Sequence, residues 1–302
     1  MDLKSKIILI YGPTASGKSE FSIKLAKKIK GEIVNADSMQ VYKELKILSA
    51  RPLKKDFKKI KHHLYGFRNS RENFSTGDWL KIIVKKIKDI KKRKKTPILV
   101  GGTGLYFKAL TEGLVEIPSI PLRFRNQLRA LQKSIGQEKF YKKLLKIDPS
   151  AINQVKPQDT QRTLRAYEVK LFTKKSVTEW YKNTKSKFKK KDFFKLYINL
   201  SRPKLIEKIN IRTELMLENG VIQEVKKFIK FKISRDKSIT KAIGLTEIKD
   251  LIKNKASKEE VIEKISIKTR QYAKRQVTWA RGHMSDWKKV KHEQLGRFLK
   301  KI

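Results

Sequence analysis

Ile7–Tyr11 is an unbroken apolar run, long enough for a buried strand and too short for a helix. It leads into Gly12–Gly17, after which Phe21, Leu25, Ala26 and Ile29 recur at the three- and four-residue spacing of one helix face. Two more short strands, Glu32–Asn35 and Pro97–Val100, are predicted to end in small or polar residues, Ala36-Asp37-Ser38 and Gly101-Gly102-Thr103-Gly104. Strands alternating with helices predict a parallel sheet with right-handed crossovers, whose ligand crevice lies beyond the carboxyl ends of the strands. The three polar loops are therefore expected to converge on one site.

From Leu114 to Asp192 the strand pattern stops. The chain becomes helical and basic, with breaks at Pro118, Pro121, Pro149 and Pro157. This predicts a mainly helical insertion domain over 114–192, set into a core made of 1–113 and 193–302. Phe194, Leu196, Ile198 and Leu200 alternate with more polar residues as a strand returning to the sheet. Ser201 is placed to cap the following helix, Pro203 is tolerated in its first turn, and Gly220 closes it. Ser257-Lys-Glu-Glu260 fits a capping box that opens a last long helix running toward Met284.

Charge changes the picture. The 302 residues include 75 Lys or Arg against 29 Asp or Glu, a net charge of +46, so the partner is expected to be a polyanion. Lysine is spread through the chain, including 54–61, 84–95 and 187–195, and a general lysine bias explains any one run as well as a binding site does. Charge alone thus leaves the site unlocated. With 39% hydrophobic residues the chain can fill a core and is no disordered tail. The absence of cysteine excludes disulfides, thiolate zinc sites and cysteine nucleophiles. The longest apolar run near the start is far short of the ~18 residues of a membrane span, so the expectation is a soluble cytoplasmic protein without a membrane partner, and a monomer by default. The four histidines, His62, His63, His283 and His292, have no zinc-site spacing.

Gly12-Pro13-Thr14-Ala15-Ser16-Gly17-Lys18-Ser19 has the spacing of a phosphate loop, with a strand before it and a helix after it. In such a loop successive backbone N–H groups wrap a diphosphate, the helix N-terminus adds a fixed positive end, Lys18 supplies a point charge, and the Ser19 hydroxyl can hold Mg²⁺. ATP or GTP would satisfy the same loop. The fold class expected is therefore α/β, a P-loop NTPase-like parallel sheet flanked by helices. The strand ending in Val100-Gly101-Gly102 carries no aspartate where many ATPases place a metal-binding carboxylate. Asp37 sits instead at the end of the second strand, where it reads either as a proton acceptor across the crevice or as a helix cap.

Five strings in order resemble the signatures of bacterial tRNA dimethylallyltransferases, the MiaA family. They are Gly12–Ser19, Asp37-Ser-Met-Gln-Val-Tyr42, Gly101-Gly-Thr-Gly-Leu-Tyr106, Gln161-Arg-Thr-Leu-Arg-Ala-Tyr-Glu-Val169 and Thr269-Arg-Gln-Tyr-Ala-Lys-Arg-Gln-Val-Thr-Trp-Ala-Arg281. The resemblance covers nearly the whole chain. It implies transfer of a dimethylallyl group from dimethylallyl diphosphate, with Mg²⁺, to N6 of adenine 37 beside the anticodon of tRNAs reading codons that begin with U. It assigns proton acceptance to Asp37, contact with the reacting centre to Thr103, and a diphosphate clamp to Arg212, for which a salt bridge to Glu214 or Glu218 is the structural alternative. Contacts with the anticodon stem-loop are implied for Asp37, Ser38, Met39, Gln40 and Thr103, for Arg125, and for Gln161, Arg162, Thr163, Leu164 and Arg165. Lys241 and Gly244 form a further strip, and Lys274, Arg275, Gln276 and Arg281 another. Each strip reads equally as a solvated basic face when the resemblance is set aside, and Tyr272 and Trp279 read as core residues. The chain departs from the family pattern at Leu245-Thr246 and at Gly66, where many relatives carry aspartate, and it lacks the zinc finger of eukaryotic relatives. An adenylate-directed isopentenyltransferase, a small-molecule kinase and a basic RNA-binding protein are the competing readings.

Overall fold

The computed structural model describes residues 3–52, 57, 60–182 and 184–302; most of the lysine run 54–61 lies outside the described residues. The chain divides into two compact units, Met1–Thr111 with Phe188–Ile302, and Glu112–Lys187.

The first unit contains β1 (Ile7–Tyr11), α1 (Lys18–Ile29), β2 (Gly31–Asn35), β3 (His62–His63), α2 (Thr76–Lys92), β4 (Thr96–Gly101) and α3 (Gly104–Glu112). The second unit contributes α4 (Leu122–Ile135), α5 (Gln137–Ile147), α6 (Thr160–Thr173) and α7 (Val177–Tyr181). The first unit then resumes with β5 (Phe193–Asn199), α8 (Arg202–Glu218), α9 (Val221–Lys230), α10 (Leu245–Ile252), α11 (Lys258–His283), β6 (Lys288–Lys291) and α12 (Leu295–Lys300).

The six strands form one sheet in the order β3-β2-β4-β1-β5-β6, and every pairing is parallel, with Leu9 opposite both Leu99 and Lys195. Helices cover both faces, which is why β1 reads as a continuous apolar run. Ile7, Leu9 and Tyr11 point into a core with Trp79, Ile83 and Ile87 of α2, Phe107 of α3 and Trp287. Ile8 and Ile10 point the other way, against Phe21 and Leu25 of α1 and Phe298 of α12. A third apolar cluster joins α8, α9, α10 and α11 to Val41, Tyr42, Leu45 and Leu48. The second unit packs its own core around Leu128, Phe140, Tyr141, Leu144 and Tyr167.

The expected α/β sheet is present, with two strands that the pattern did not predict. β3 is only two residues long, and β6 is an edge strand of sequence KKVK with only Val290 buried, so neither produces a hydrophobic period. The run at Pro97–Val100 is accordingly the fourth strand of the chain. The helical unit ends at Lys187 rather than at Asp192, because Phe188 packs beside Phe193 at the start of β5, with 5.9 Å between ring centroids. Ser201 occupies the N-cap position of α8, but its side chain makes no capping bond, which corrects the expected cap. The box at Ser257 does form: Glu260 N–H donates to Ser257 Oγ at 3.2 Å, and Ser257 N–H donates to Glu260 Oε2 at 3.2 Å. Gly220 stands just past α8 with φ of 88°, a conformation that favours glycine. Among the described residues no helix is long and apolar enough to cross a membrane.

Candidate active site

The loop between β1 and α1 turns through left-handed backbone at Ala15 (φ 62°) and Gly17 (φ 82°). Its first glycine has no room for a side chain, since a Cβ there would lie 2.6 Å from Ser16 Oγ and 3.1 Å from Ile198 O. Two helices distant in sequence hold the loop. From α11, Gln276 Oε1 accepts from the Thr14 N–H at 2.8 Å while its Nε2 donates to Gly102 O at 2.9 Å. From α8, Arg212 Nη1 donates to Thr14 Oγ1 at 2.6 Å. That bond replaces the expected alternative of a salt bridge to Glu214 or Glu218. Lys18 Nζ donates to Pro13 O at 3.1 Å, so the ammonium folds back over the loop. Burial pushes the Lys18 ammonium down to about 8, with Asp37 opposing the shift and Arg212 adding to it. The Ser16 hydroxyl is buried and has no hydrogen-bond partner among the described residues, an unsatisfied group inside the loop.

Asp37 is held with similar care. Asn35 Oδ1 accepts from the Asp37 N–H at 2.9 Å, and Asn35 Nδ2 donates to the carbonyls of Asp37 and Leu64, both at 3.0 Å. Asp37 Oδ1 accepts from the Met39 and Gln40 N–H groups at 2.9 and 3.4 Å, which leaves Oδ2 without a hydrogen bond to a described residue. The residues after it form turns rather than a helix, so the helix-cap alternative falls away. β4 clamps this segment: Thr103 N–H donates to Ala36 O at 3.3 Å, and Thr103 Oγ1 accepts from the Ser38 N–H at 3.0 Å. Glycine is required at 101, because a Cβ there would lie 2.0 Å from Ala36 O. The carboxylate charge reaches several neighbours. Burial, and after it Asp37, raises the hydroxyls of Tyr65, Tyr106 and Tyr272 above the ordinary tyrosine value.

Both segments line one cleft of about 760 Å³. Lys208, Arg212 and Met216 of α8, Ile265, Tyr272 and Arg275 of α11, and Leu48–Ala50 complete the wall, so cationic and apolar groups face the same space. The Leu48–Ala50 turn is set by a residue that the sequence did not single out. Glu224 Oε1 accepts from the Lys46 and Ile47 N–H groups at 2.7 and 2.8 Å, and its Oε2 accepts from the Leu48 N–H at 2.9 Å. Gln40 Nε2 holds the far side of the turn, donating to Ser49 O and Ala50 O at 3.1 and 3.2 Å. No cluster of three or more His, Asp or Glu is present among the described residues, so a metal held at the Ser19 hydroxyl would draw most of its ligands from phosphate and water. That donor set suits Mg²⁺, which keeps its waters and binds through substrate phosphates.

The residues expected to meet RNA fall into two groups. In the first unit Ser38, Met39 and Lys241 line the cleft beside Arg275, while Lys274 and Arg281 are exposed on α11. In the second unit Gln161, Arg162 and Arg165 are exposed along α6, with Leu164 partly covered. Buried Glu168 lies 3.4 Å from Arg125 Nε and 3.5 Å from Arg165 Nη1, so one carboxylate orients both arginines. Several positions turn inward instead, among them Gln40, whose amide is taken by the Ser49 and Ala50 carbonyls. Gln276 spends its amide on the phosphate loop, the Thr163 hydroxyl donates to Asp159 O and accepts from Gln137 Nε2, and Gly244 (φ 94°) is buried, with Leu48 Cδ1 2.8 Å from where its Cβ would stand. Tyr272, expected in the core, lines the cleft; Trp279 is partly covered and stacks on His283 with 4.0 Å between ring centroids. Gly66 also finds a reason, since with φ of 55° its missing side chain leaves room for the Arg51 guanidinium, whose Nη1 donates to Tyr42 O at 2.7 Å.

The family model described as IPP transferase matches residues 40–283. The tRNA dimethylallyltransferase of Pelagibacter ubique (strain HTCC1062) is 59% identical over 302 residues, which cover 100% of this chain and 96% of that one. The chain belongs to the IPP transferase family. Solved structures share its fold. The tRNA delta(2)-isopentenylpyrophosphate transferase of Staphylococcus epidermidis superposes with a TM-score of 0.68 at 33% identity, covering 98% of this chain and 96% of that one. A eukaryotic dimethylallyltransferase acting on tRNA superposes with a TM-score of 0.84 at 30% identity, covering 95% of this chain and 74% of that one. The family match begins at Gln40, so the phosphate loop and Asp37 lie before it and are matched through the full-length relatives.

Proposed function

We propose that this protein transfers the dimethylallyl group of dimethylallyl diphosphate to N6 of adenine 37 in tRNAs that read codons beginning with U, releasing diphosphate. The observation that carries the reading is that an anion-binding loop and a carboxylate with one free oxygen line the same cleft. Breaking an allylic C–O bond spreads positive charge over the prenyl fragment and leaves a diphosphate of high negative charge. The loop N–H groups, Lys18 and Arg212 meet that charge, and Mg²⁺ held against Ser19 would supply further neutralisation of the departing group. The exocyclic amine of adenine is a weak nucleophile because its lone pair is delocalised into the ring. Asp37 Oδ2 accepts its proton as the C–N bond forms, while the Met39 and Gln40 N–H groups fix Oδ1. Thr103 holds the backbone that carries Asp37. For N6 to reach Asp37 inside the cleft the adenine must leave the anticodon stack, which costs a few kcal/mol that contacts to the loop offset. Exposed Arg162 and Arg165, together with Arg125, are assigned to the tRNA backbone, as are Lys241, Arg275 and Arg281.

The deciding experiment incubates the protein with dimethylallyl diphosphate, Mg²⁺ and an unmodified tRNA of this class, followed by nucleoside analysis for N6-isopentenyladenosine. Product that disappears in Asp37→Asn and Lys18→Ala supports the reading. No product beside an active control rejects it, and transfer of phosphate from ATP to a small molecule would put a kinase in its place.

A further inference from the structure

One group touching the phosphate loop has no part in the mechanism above. His292 follows β6, beyond residue 283 where the family match ends. Its ring lies against the outer side of the loop: a Cβ on Gly17 would stand 2.6 Å from His292 Cε1 and 2.9 Å from Nδ1. Nδ1 is 3.1 Å from Ser16 O, and Nε2 is 3.0 Å from Nζ of Lys208, which lines the cleft. An ammonium can only donate, so Nε2 is the acceptor; the proton then sits on Nδ1 and is donated to the Ser16 carbonyl. This pair of bonds assigns the tautomer of the ring.

We infer that His292 is a positioning residue for diphosphate binding, a brace that sets the Ser16–Gly17 peptide and the Lys208 ammonium together. A trans peptide carries its C=O and N–H on opposite sides. Holding the Ser16 carbonyl outward against the imidazole therefore turns the Gly17 N–H away from the ring. The hydrogen bond to the carbonyl also polarises the same peptide, strengthening its N–H as a donor to an anion. On the other nitrogen, the bond to Nε2 confines Lys208, which stands one helical turn before Arg212 on the same face of α8. The long lysine side chain loses rotamer freedom before the ligand arrives, which lowers the entropy lost on binding. Glycine at 17 serves both demands, since its φ of 82° is left-handed and any side chain would collide with the ring.

This inference rests on the prenyl-transfer reading for its KM measurement and stands apart from it in a direct binding measurement. Inorganic diphosphate is titrated calorimetrically into the full-length protein with Mg²⁺, and KM for dimethylallyl diphosphate and for tRNA is measured in parallel. His292→Ala should weaken diphosphate binding and raise the donor KM about tenfold, the worth of losing hydrogen bonds that include a charged donor. The tRNA KM and the saturated kcat should each stay within about threefold, where a merely structural role would lower kcat and the melting temperature together. His292→Asn, which keeps an N–H near the Nδ1 position and loses the acceptor for Lys208, should fall between. In a Lys208→Met background His292→Ala should add less than it does alone, because the two changes remove one shared bond. Diphosphate affinity and donor KM within twofold of the parent in His292→Asn and His292→Ala, or full additivity with Lys208→Met, overturns the inference. If His292→Ala fails to fold, His292→Asn decides by the same limits. If the parent binds diphosphate but makes no prenylated tRNA, the functional reading fails while the binding comparison still tests His292.

Discussion

Replacing Gln276 by alanine separates two roles for a residue of the α11 motif. Its side chain is 4% exposed and makes two hydrogen bonds, one from the Thr14 N–H at 2.8 Å and one to Gly102 O at 2.9 Å. Each bond is worth about 1 kcal/mol net, and leaving the buried Gly102 carbonyl unsatisfied costs about 1–3 kcal/mol more, part of which the bond figure already contains. The total destabilisation is then about 2–4 kcal/mol. At about 2–4 °C per kcal/mol for a chain approaching this size, the melting temperature should fall by roughly 4–16 °C. The loop is the part released, so the donor KM should rise as well, while tRNA affinity and its salt dependence stay as in the parent. Gln276→Glu is the sharper variant. It keeps an acceptor for Thr14 but sets a carboxylate oxygen against the Gly102 carbonyl, and it should destabilise about as much as alanine. The assays are differential scanning calorimetry, donor kinetics, and tRNA binding at several salt concentrations. An unchanged melting temperature with weakened tRNA binding and a shallower salt slope would show that this side chain faces RNA, and the brace would be wrong.

Other expectations follow from the same geometry. Asp37→Asn keeps the acceptor for the Met39 N–H and removes the base, so single-turnover transfer should fall by roughly 10²- to 10⁴-fold with tRNA affinity unchanged; a loss below tenfold contradicts the assignment. Lys18 is pushed down to about 8 by burial, so its ammonium is present below that pH and lost above it, and kcat/KM for the donor should decline as pH rises past about 8. The unfolded chain, near the ordinary 10.5, binds a proton that the folded one lacks between about 8 and 10.5, so this group's contribution to stability rises with pH across that window. A kcat/KM flat between pH 7.5 and 9.5 removes the argument. Arg165→Ala should weaken tRNA binding uniformly across sequences and flatten the salt slope by about 1, read by filter binding.

Much of the site was legible because its parts are neighbours in sequence. Gly12–Ser19 carries its own turn, its one cation and the start of α1, and Asp37 and Thr103 follow strands that their residue pattern announces. The capping box at Ser257 is equally local, as four residues hold both of its bonds. The α11 motif pointed to Gln276 but not to the direction of its side chain, which depends on α11 lying beside a loop 262 residues earlier. Glu224 had no signal at all, since an acidic residue in the first turn of a helix is ordinary until the 46–48 turn is seen against it.

The sequence by itself determined the alternation of strands and helices, the chemistry of the loops at the strand ends and the family, because hydrophobic period, turn residues and motif spacing are properties of contiguous chain. Tertiary structure alone decided which polar side chains face the cleft and which are spent holding it. Gln276, Glu224 and His292 make bonds to backbone groups across 174–276 residues of sequence, and whether an amide, a carboxylate or an imidazole meets solvent or a backbone group is fixed only when the sheet brings its loops together and the helices pack around them.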